Sequence, residues 1–366
     1  MVMSRRDYLM TSGLALGGAV FSASIGTAED NVGPRRARLS LNENPFGPSP
    51  LALAAIQDQL GELCRYVDSR ADVLSPAIAA REGISFDQIV LGEILADLGL
   101  HLAKTGPSGG EFIYSEPGYT ALVDAVAPGG GVVAGIPLNH DLQNDLPAVA
   151  AKVNARTRAI YLVNPHNPSG TVSDAAAFTS FVREMSKSTT VIVDEAYLEF
   201  EPDFAQRTVV NLTRAGENVV VFRTFGKIYG LAGLPMGYAV APKELATALK
   251  HAGIGARDRE NRLALAAAAG SLRDGNYIAT IRQQVAGERE KWFQLFDVLK
   301  VRYAASRGNF VFFETGRPHE DFAAALGKTG IDIGRSFPPL DTWARISIGL
   351  PHDNEMARGA VAKLLG

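Results

Sequence analysis

Cysteine is nearly absent from this chain: Cys64 stands alone among 366 residues, so no internal disulfide framework and no cysteine-based metal site can form. Histidine is scarce too, with six scattered residues and no pair at metal-ligand spacing, and no metal is expected. Long apolar runs are missing, since no stretch reaches the ~20 residues that a bilayer span needs. Neither sign of charge dominates: 36 Lys and Arg against 39 Asp and Glu leave a formal net charge of −3, without the basic footprint of a nucleic-acid binder. With 46% hydrophobic residues, the chain is expected to be a soluble globular protein with a large core and no stable membrane association. A prior of ~150 residues per domain suggests two domains.

What is present is an alternation of apolar strands and amphipathic helices, the pattern of a mostly parallel sheet between helices in an α/β fold. Strands are expected near Ile89 and over 112–115, 132–136, 159–163, 191–193, 219–222 and 238–240. Ser49 and Pro50 read as cap and first turn of a helix over 51–60, and another helix is expected over 173–187. From about Leu245 the pattern changes to long helices, 261–272 and 276–299, and then to short strands at 309–314 and 345–348. We therefore expect an amino-terminal arm over 29–60 that returns to a small domain over 246–366, with a large domain over 61–245 between them.

Three strand ends carry chemistry. Lys227 lies in Arg223-Thr-Phe-Gly-Lys-Ile-Tyr-Gly-Leu-Ala-Gly-Leu-Pro-Met-Gly-Tyr238, between an apolar strand and a glycine-spaced loop. A lysine held close, partly desolvated and able to lose its proton forms an imine with an aldehyde, and Gly226, Gly230, Gly233 and Gly237 would let backbone crowd a flat cofactor. Val191-Ile-Val-Asp-Glu-Ala-Tyr197 ends a β-branched strand in a carboxylate, and a buried Asp194 can keep a pyridinium nitrogen protonated. Ala159-Ile-Tyr-Leu-Val-Asn-Pro-His-Asn-Pro-Ser-Gly-Thr171 runs a strand into a proline-fixed turn, where Asn167 and Tyr197 could meet a ring oxygen. This set makes pyridoxal 5'-phosphate the cofactor to test.

The order Asn167, Asp194, Tyr197, Lys227 resembles the fold-type I pyridoxal phosphate aminotransferases, in their class I and II large domain. Within these it is most similar to the histidinol-phosphate aminotransferase family, through Leu39-Ser-Leu-Asn-Glu-Asn-Pro-Phe-Gly-Pro-Ser49, Arg65-Tyr66-Val-Asp68 and Ala344-Arg345-Ile-Ser-Ile-Gly349. The resemblance runs from about Leu39 to the end. It implies an aspartate aminotransferase-like fold, a homodimer, and an amino donor and a 2-oxo acid acceptor as substrates. It also implies roles: Lys227 as the imine lysine and proton shuttle, Asp194 on the ring nitrogen, and Asn167 and Tyr197 on the ring oxygen. Tyr119 would stack on the ring, Thr224 would meet the phosphate, and Tyr66 would reach the neighbouring subunit's phosphate. Arg345 would grip the substrate α-carboxylate as a bidentate donor, and Asn44, in the first signature, would also bind substrate.

Departures from the family fall at the phosphate. Pro235 stands where an arginine is usual, and Gly226 where a serine often precedes the lysine. The phosphate loop looks shortened to Ile89-Val-Leu-Gly-Glu-Ile-Leu95, leaving Gly92, Glu93 and Ile94 to bind the cofactor through amides at a helix N-terminus. The Glu93 side chain would oppose a phosphate unless it turns away. If another basic residue replaces the missing arginine, Arg223 is the first suspect.

The amino terminus, Ser4-Arg-Arg-Asp-Tyr-Leu-Met10 followed by a glycine-rich apolar stretch and Gly26-Thr27-Ala28, reads as a twin-arginine signal peptide over 1–28. It implies the twin-arginine translocase as a transient partner and a periplasmic or secreted enzyme, exported folded with its cofactor. The reading of the whole is an aminotransferase. The alternatives are another reaction of the same cofactor (decarboxylation, lyase or oxidase chemistry) and a non-catalytic ligand-binding homologue.

Overall fold

Continuous apolar runs such as Val191-Ile-Val-Asp194 and Val219-Val-Val-Phe222 leave no polar face for solvent, and a strand of that kind is stable only with both faces covered. The computed structural model describes residues 36–69, 72–256 and 259–366 and satisfies that demand with one seven-stranded sheet. Its strands are β2 (Ile89–Leu91), β3 (Glu111–Glu116), β4 (Val132–Pro137), β5 (Thr157–Val163), β6 (Thr190–Asp194), β7 (Val219–Thr224) and β8 (Gly237–Val240), in the order β2-β8-β7-β6-β5-β3-β4. Every residue of β6, β7 and β8 is buried. Helices such as Leu95–Thr105 and Ala175–Ser186 connect the strands, the latter capped by Asp174, which accepts from the Ala177 amide at 2.9 Å.

The sheet is parallel except at β8, which runs antiparallel to both β7 and β2. The cause is the connection. A parallel return needs a crossover, usually helical, whereas 225–236 contains no helix and turns straight back. The same turn holds Lys227. Val163, Asp194 and Thr224, the last residues of β5, β6 and β7, therefore share one edge, where open α/β sheets bind ligands.

Two small sheets use the rest of the described chain. β9 (Phe310–Glu314) pairs antiparallel with β11 (Trp343–Ser347), and β1 (Ala37–Leu39) pairs in parallel with β10 (Ile331–Ile333). The arm thus returns to the carboxyl-terminal part, through strands of three residues too short to show in the sequence pattern. The helix Gly275–Leu299 buries Ile278, Ile281, Val285, Trp292 and Phe296 on one stripe, with Trp292 and Phe296 packed on Phe313 of β9. Asp274 caps its start. Ser49 and Pro50 open the helix Pro50–Gln59 as expected, with Ser49 Oγ accepting from the Ala52 amide at 3.2 Å. That helix packs on the alanine-rich helix Arg262–Leu272, whose Gly270 admits the Leu51 backbone. Residues 36–366 make one compact unit. The expected twin-arginine segment and cleavage site after Ala28 lie outside the described residues.

Candidate active site

At the carboxyl edge of β5, β6 and β7 lies a cavity of about 440 Å³, walled by the ends of those strands, the lysine turn, the arm and the segment 335–345. It brings together Glu93, Tyr119, Asn167, Asp194, Tyr197, Thr224, Lys227 and Arg345, eight of the residues singled out in the sequence. They come from positions up to 252 residues apart (93 to 345), and sheet topology is what joins them.

Asp194 is 2% exposed. Its Oδ1 accepts from the Ala196 amide at 3.0 Å and its Oδ2 from the Tyr161 hydroxyl at 3.1 Å. Burial pushes its pKa up to about 7, against those two hydrogen bonds. This carboxylate has neutral hydrogen-bond donors and wants a cation. Lys227 is half-buried, its Nζ donating to the Leu41 carbonyl at 3.4 Å and lying 5.7 Å from the centre of the Tyr197 ring. It is therefore loosely held, as a lysine that must move requires.

Asn167 is oriented by its neighbours. Arg345 Nη1 donates to Asn167 Oδ1 at 2.6 Å, which turns the amide Nδ2 toward the Tyr197 hydroxyl at 3.5 Å. Asn42 Nδ2 donates to the same hydroxyl at 3.2 Å. Arg345 is buried, also donates to the Ser40 carbonyl at 2.9 Å, and has its pKa lowered to about 10 by burial. Its Nε is buried without a hydrogen-bond partner, an orphan donor that an anion would satisfy. Tyr119 is 43% exposed over the cavity, and burial, with Asp194 and Glu93 nearby, raises its phenol to about 12.

Other sequence expectations land elsewhere. Asn44 is off the wall: its Nδ2 donates to the Ile228 carbonyl at 2.8 Å and its Oδ1 accepts from the Phe46 amide, so it ties the arm to the lysine turn. Gly92 and Ile94 flank Glu93 outside the wall, Ile94 opening the helix Leu95–Thr105. Tyr66 is 94% exposed, beside Arg262, whose Nη2 donates to its carbonyl. Of the loop glycines only Gly226 faces the cavity. Gly230 and Gly237 are instead crowded by protein backbone, at Gly47 and Arg223 respectively.

Arg223 does not replace the missing phosphate arginine. It is buried away from the cavity, with Nη1 on Glu82 at 2.8 Å and Nη2 on Glu195 at 2.9 Å and Thr208 at 2.7 Å. Nor does Glu93 turn away: although the residue as a whole is exposed, its carboxyl faces the cavity and takes the Thr224 hydroxyl. Burial of that carboxyl raises its pKa.

Sequence reasoning missed Asn42 and Arg335, which also line the cavity. Asn42 sits in the Asn-Glu-Asn run that drew attention to Asn44, at φ 54°, a left-handed conformation that asparagine tolerates. Arg335 stacks on Phe337 at 4.4 Å and donates to the Ser336 carbonyl, and nothing in its sequence surroundings marks it.

The residues present fit pyridoxal phosphate at the ring: a buried carboxylate, an amide and a phenol, an aromatic face and a loosely held lysine. Comparison with known proteins agrees. Residues 36–364 match the model of aminotransferase class I and II, and the chain belongs to that family. It is a pyridoxal phosphate-dependent aminotransferase, with the α/β fold of the aspartate and histidinol-phosphate aminotransferases. The chain is 33% identical over 335 residues to a histidinol-phosphate aminotransferase of Limosilactobacillus fermentum, covering 90% of this chain and 91% of the relative. It is 32% identical over 336 residues to one of Moorella thermoacetica, covering 90% and 85%. Among solved structures it is similar to histidinol-phosphate aminotransferase from Sinorhizobium meliloti in complex with pyridoxal-5'-phosphate, with a TM-score of 0.81, 28% identity and coverage of 95% and 98%.

Proposed function

We propose that the cavity exchanges an amino group between a carboxylate-bearing amine and a 2-oxo acid, with Lys227 as the proton carrier. The observation that carries this is the meeting of Lys227, Asp194, Asn167 and Arg345 on one wall. Bound there, pyridoxal phosphate supplies an aldehyde for the amine and a ring that withdraws electron density from the reacting carbon. Asp194 would hold the ring nitrogen and keep it protonated. Asn167 and Tyr197 would hold the ring oxygen, and Tyr119 would cover one ring face. Lys227 Nζ would take the substrate's α-proton and carry it across the cavity.

Arg345 grips the α-carboxylate through its unpartnered Nε and an Nη. Arg335, at the same wall with donors to spare, suits a second anionic group, so donors and acceptors with two anionic ends are the favoured class. The second anion is a carboxylate or a phosphate. On the export reading given below, the enzyme would meet its substrates outside the cytoplasm, away from the cytoplasmic biosynthetic intermediates.

The test is spectroscopic. Purified enzyme is titrated with a panel of amines bearing no anion, one or two, and the cofactor absorbance is followed. Donors with two anions should discharge the absorbance at the lowest concentration, and 2-oxo acids should restore it. Discharge that oxo acids do not reverse would point to decarboxylation or elimination and contradict transfer.

We place the enzyme outside the cytoplasm on the strength of the Arg5-Arg6 segment and the small residues before Glu29. Replacing Arg5 and Arg6 together by lysine should retain folded, loaded enzyme in the cytoplasm. Unchanged export would refute the signal.

A further inference from the structure

The corner of the cavity where a phosphate would be held combines donors with an acid. Thr224 Oγ1 at the end of β7 lines it, and the helix Leu95–Thr105 opens two residues after Glu93, an end that favours an anion. Among the described residues, Pro235 is on the wall and Arg223 is spent on Glu82 and Glu195. Instead the Glu93 carboxyl enters the corner and takes the Thr224 hydroxyl. The groups facing it are Lys227, which favours its charge, and Asp194 and Tyr119, whose ionisation it opposes in turn. Glu260 lies beside Gly92, and Asp97 is in the first turn of the same helix.

A phosphate monoester, with a second pKa of about 6, placed against a carboxylate repeats the physics of paired carboxylates: the two share a proton because both cannot stay charged. We propose that Glu93 determines how this enzyme holds its cofactor: its carboxyl binds the cofactor phosphate as a proton donor, so that phosphate enters together with one proton and is released as pH rises. The inference rests on the pyridoxal phosphate reading above and adds a property of this chain's own residues. No covalent bond changes. One proton passes from solvent to the Glu93–phosphate pair on binding and returns on release. Burial of the Glu93 carboxyl already favours the neutral form.

The sign follows from linkage. The pair holds one proton in the complex, so affinity is greatest between the two free pKa values, where the free partners also carry one, and falls above both, toward tenfold per pH unit. Full-length protein freed of cofactor is titrated by equilibrium dialysis with 4-deoxypyridoxine 5'-phosphate and with 4-deoxypyridoxine, from about pH 6 to about pH 9. Neither probe carries an aldehyde, so Lys227 does not react, and the ratio of the two affinities isolates the phosphate. That ratio should fall about tenfold per unit at the alkaline end in the native protein. In Glu93→Gln, whose amide donates without titrating, it should be flat and higher than native at about pH 9. A flat ratio in the native protein overturns the proposal whether or not the variant folds, and so does an equal slope in both proteins. Binding of neither probe at any pH overturns the cofactor reading itself, and this proposal with it.

Discussion

Asp194 shows how one side chain couples fold to chemistry. Its pKa is raised by burial from the ordinary 3.8 to about 7 in the ligand-free protein. A carboxyl whose folded pKa exceeds its unfolded value binds more protons when folded, so stability is greatest below about pH 4 and is lost as pH rises toward 7. At ~1.4 kcal/mol per unit the loss reaches about 4 kcal/mol. Urea unfolding of cofactor-free protein at about pH 5 and pH 8 should show a smaller difference in Asp194→Asn than in the native chain. An identical difference would mean that Asp194 is not the titrating group. Arg345→Lys should lower kcat/KM about 10- to 150-fold for α-amino acids, the value of one charge-assisted hydrogen bond, and spare amines without a carboxylate. Equal loss for both would remove the carboxylate role. At this scale the sequence was legible where a reactive residue ends or closely follows an apolar strand, as Asp194 and Lys227 do. Asn42 and Arg335 were not legible, because they reach the cavity through the arm and the carboxyl-terminal segment, whose approach depends on tertiary packing.

Among the elements, the turn 225–236 matters most, since it reverses β8, presents Lys227 and receives the arm. Gly230 sits at φ 72°, and a Cβ there would collide with the Gly47 carbonyl. Gly230→Ala should therefore cost on the order of 1–3 kcal/mol for the left-handed backbone, plus displacement of the arm that carries Asn42 and Leu41 to the site. Denaturant unfolding should show the loss and protease should cut near residue 47 sooner. Native-like stability and resistance would mean that the arm does not depend on this contact. The apolar runs of β5 to β7 announced themselves because both faces are buried. The direction of β8 did not, since a buried strand reads the same either way and only its short connection decides. β1 and β10, at three residues each, had too little pattern to show.

For the molecule as a whole, Tyr66 is 94% exposed, and Leu51, Leu53, Leu60 and Leu63 of the segment before it are exposed too. An apolar surface of this kind suits a partner, and we expect a symmetric homodimer in which Tyr66 meets the other subunit's cofactor. Sedimentation at assay concentration should give the dimer mass. A fully active monomer would leave Tyr66 without that role. The family, and the gathering of Asn167, Asp194, Tyr197 and Lys227 at one cavity, were readable because ordered motifs span nearly the whole chain. The phosphate corner was readable only as a deficit, since whether Glu93 faces in or out depends on tertiary placement of its carboxyl against Thr224.

Lys227 as the residue that carries the cofactor is what the rest of the site is built around. Borohydride reduction of the loaded enzyme, followed by peptide mapping with mass spectrometry, tests it most directly. The account predicts the cofactor's mass on the peptide containing Lys227 and on no other. Cofactor attached to a different lysine, or to none while the enzyme is active, would contradict it.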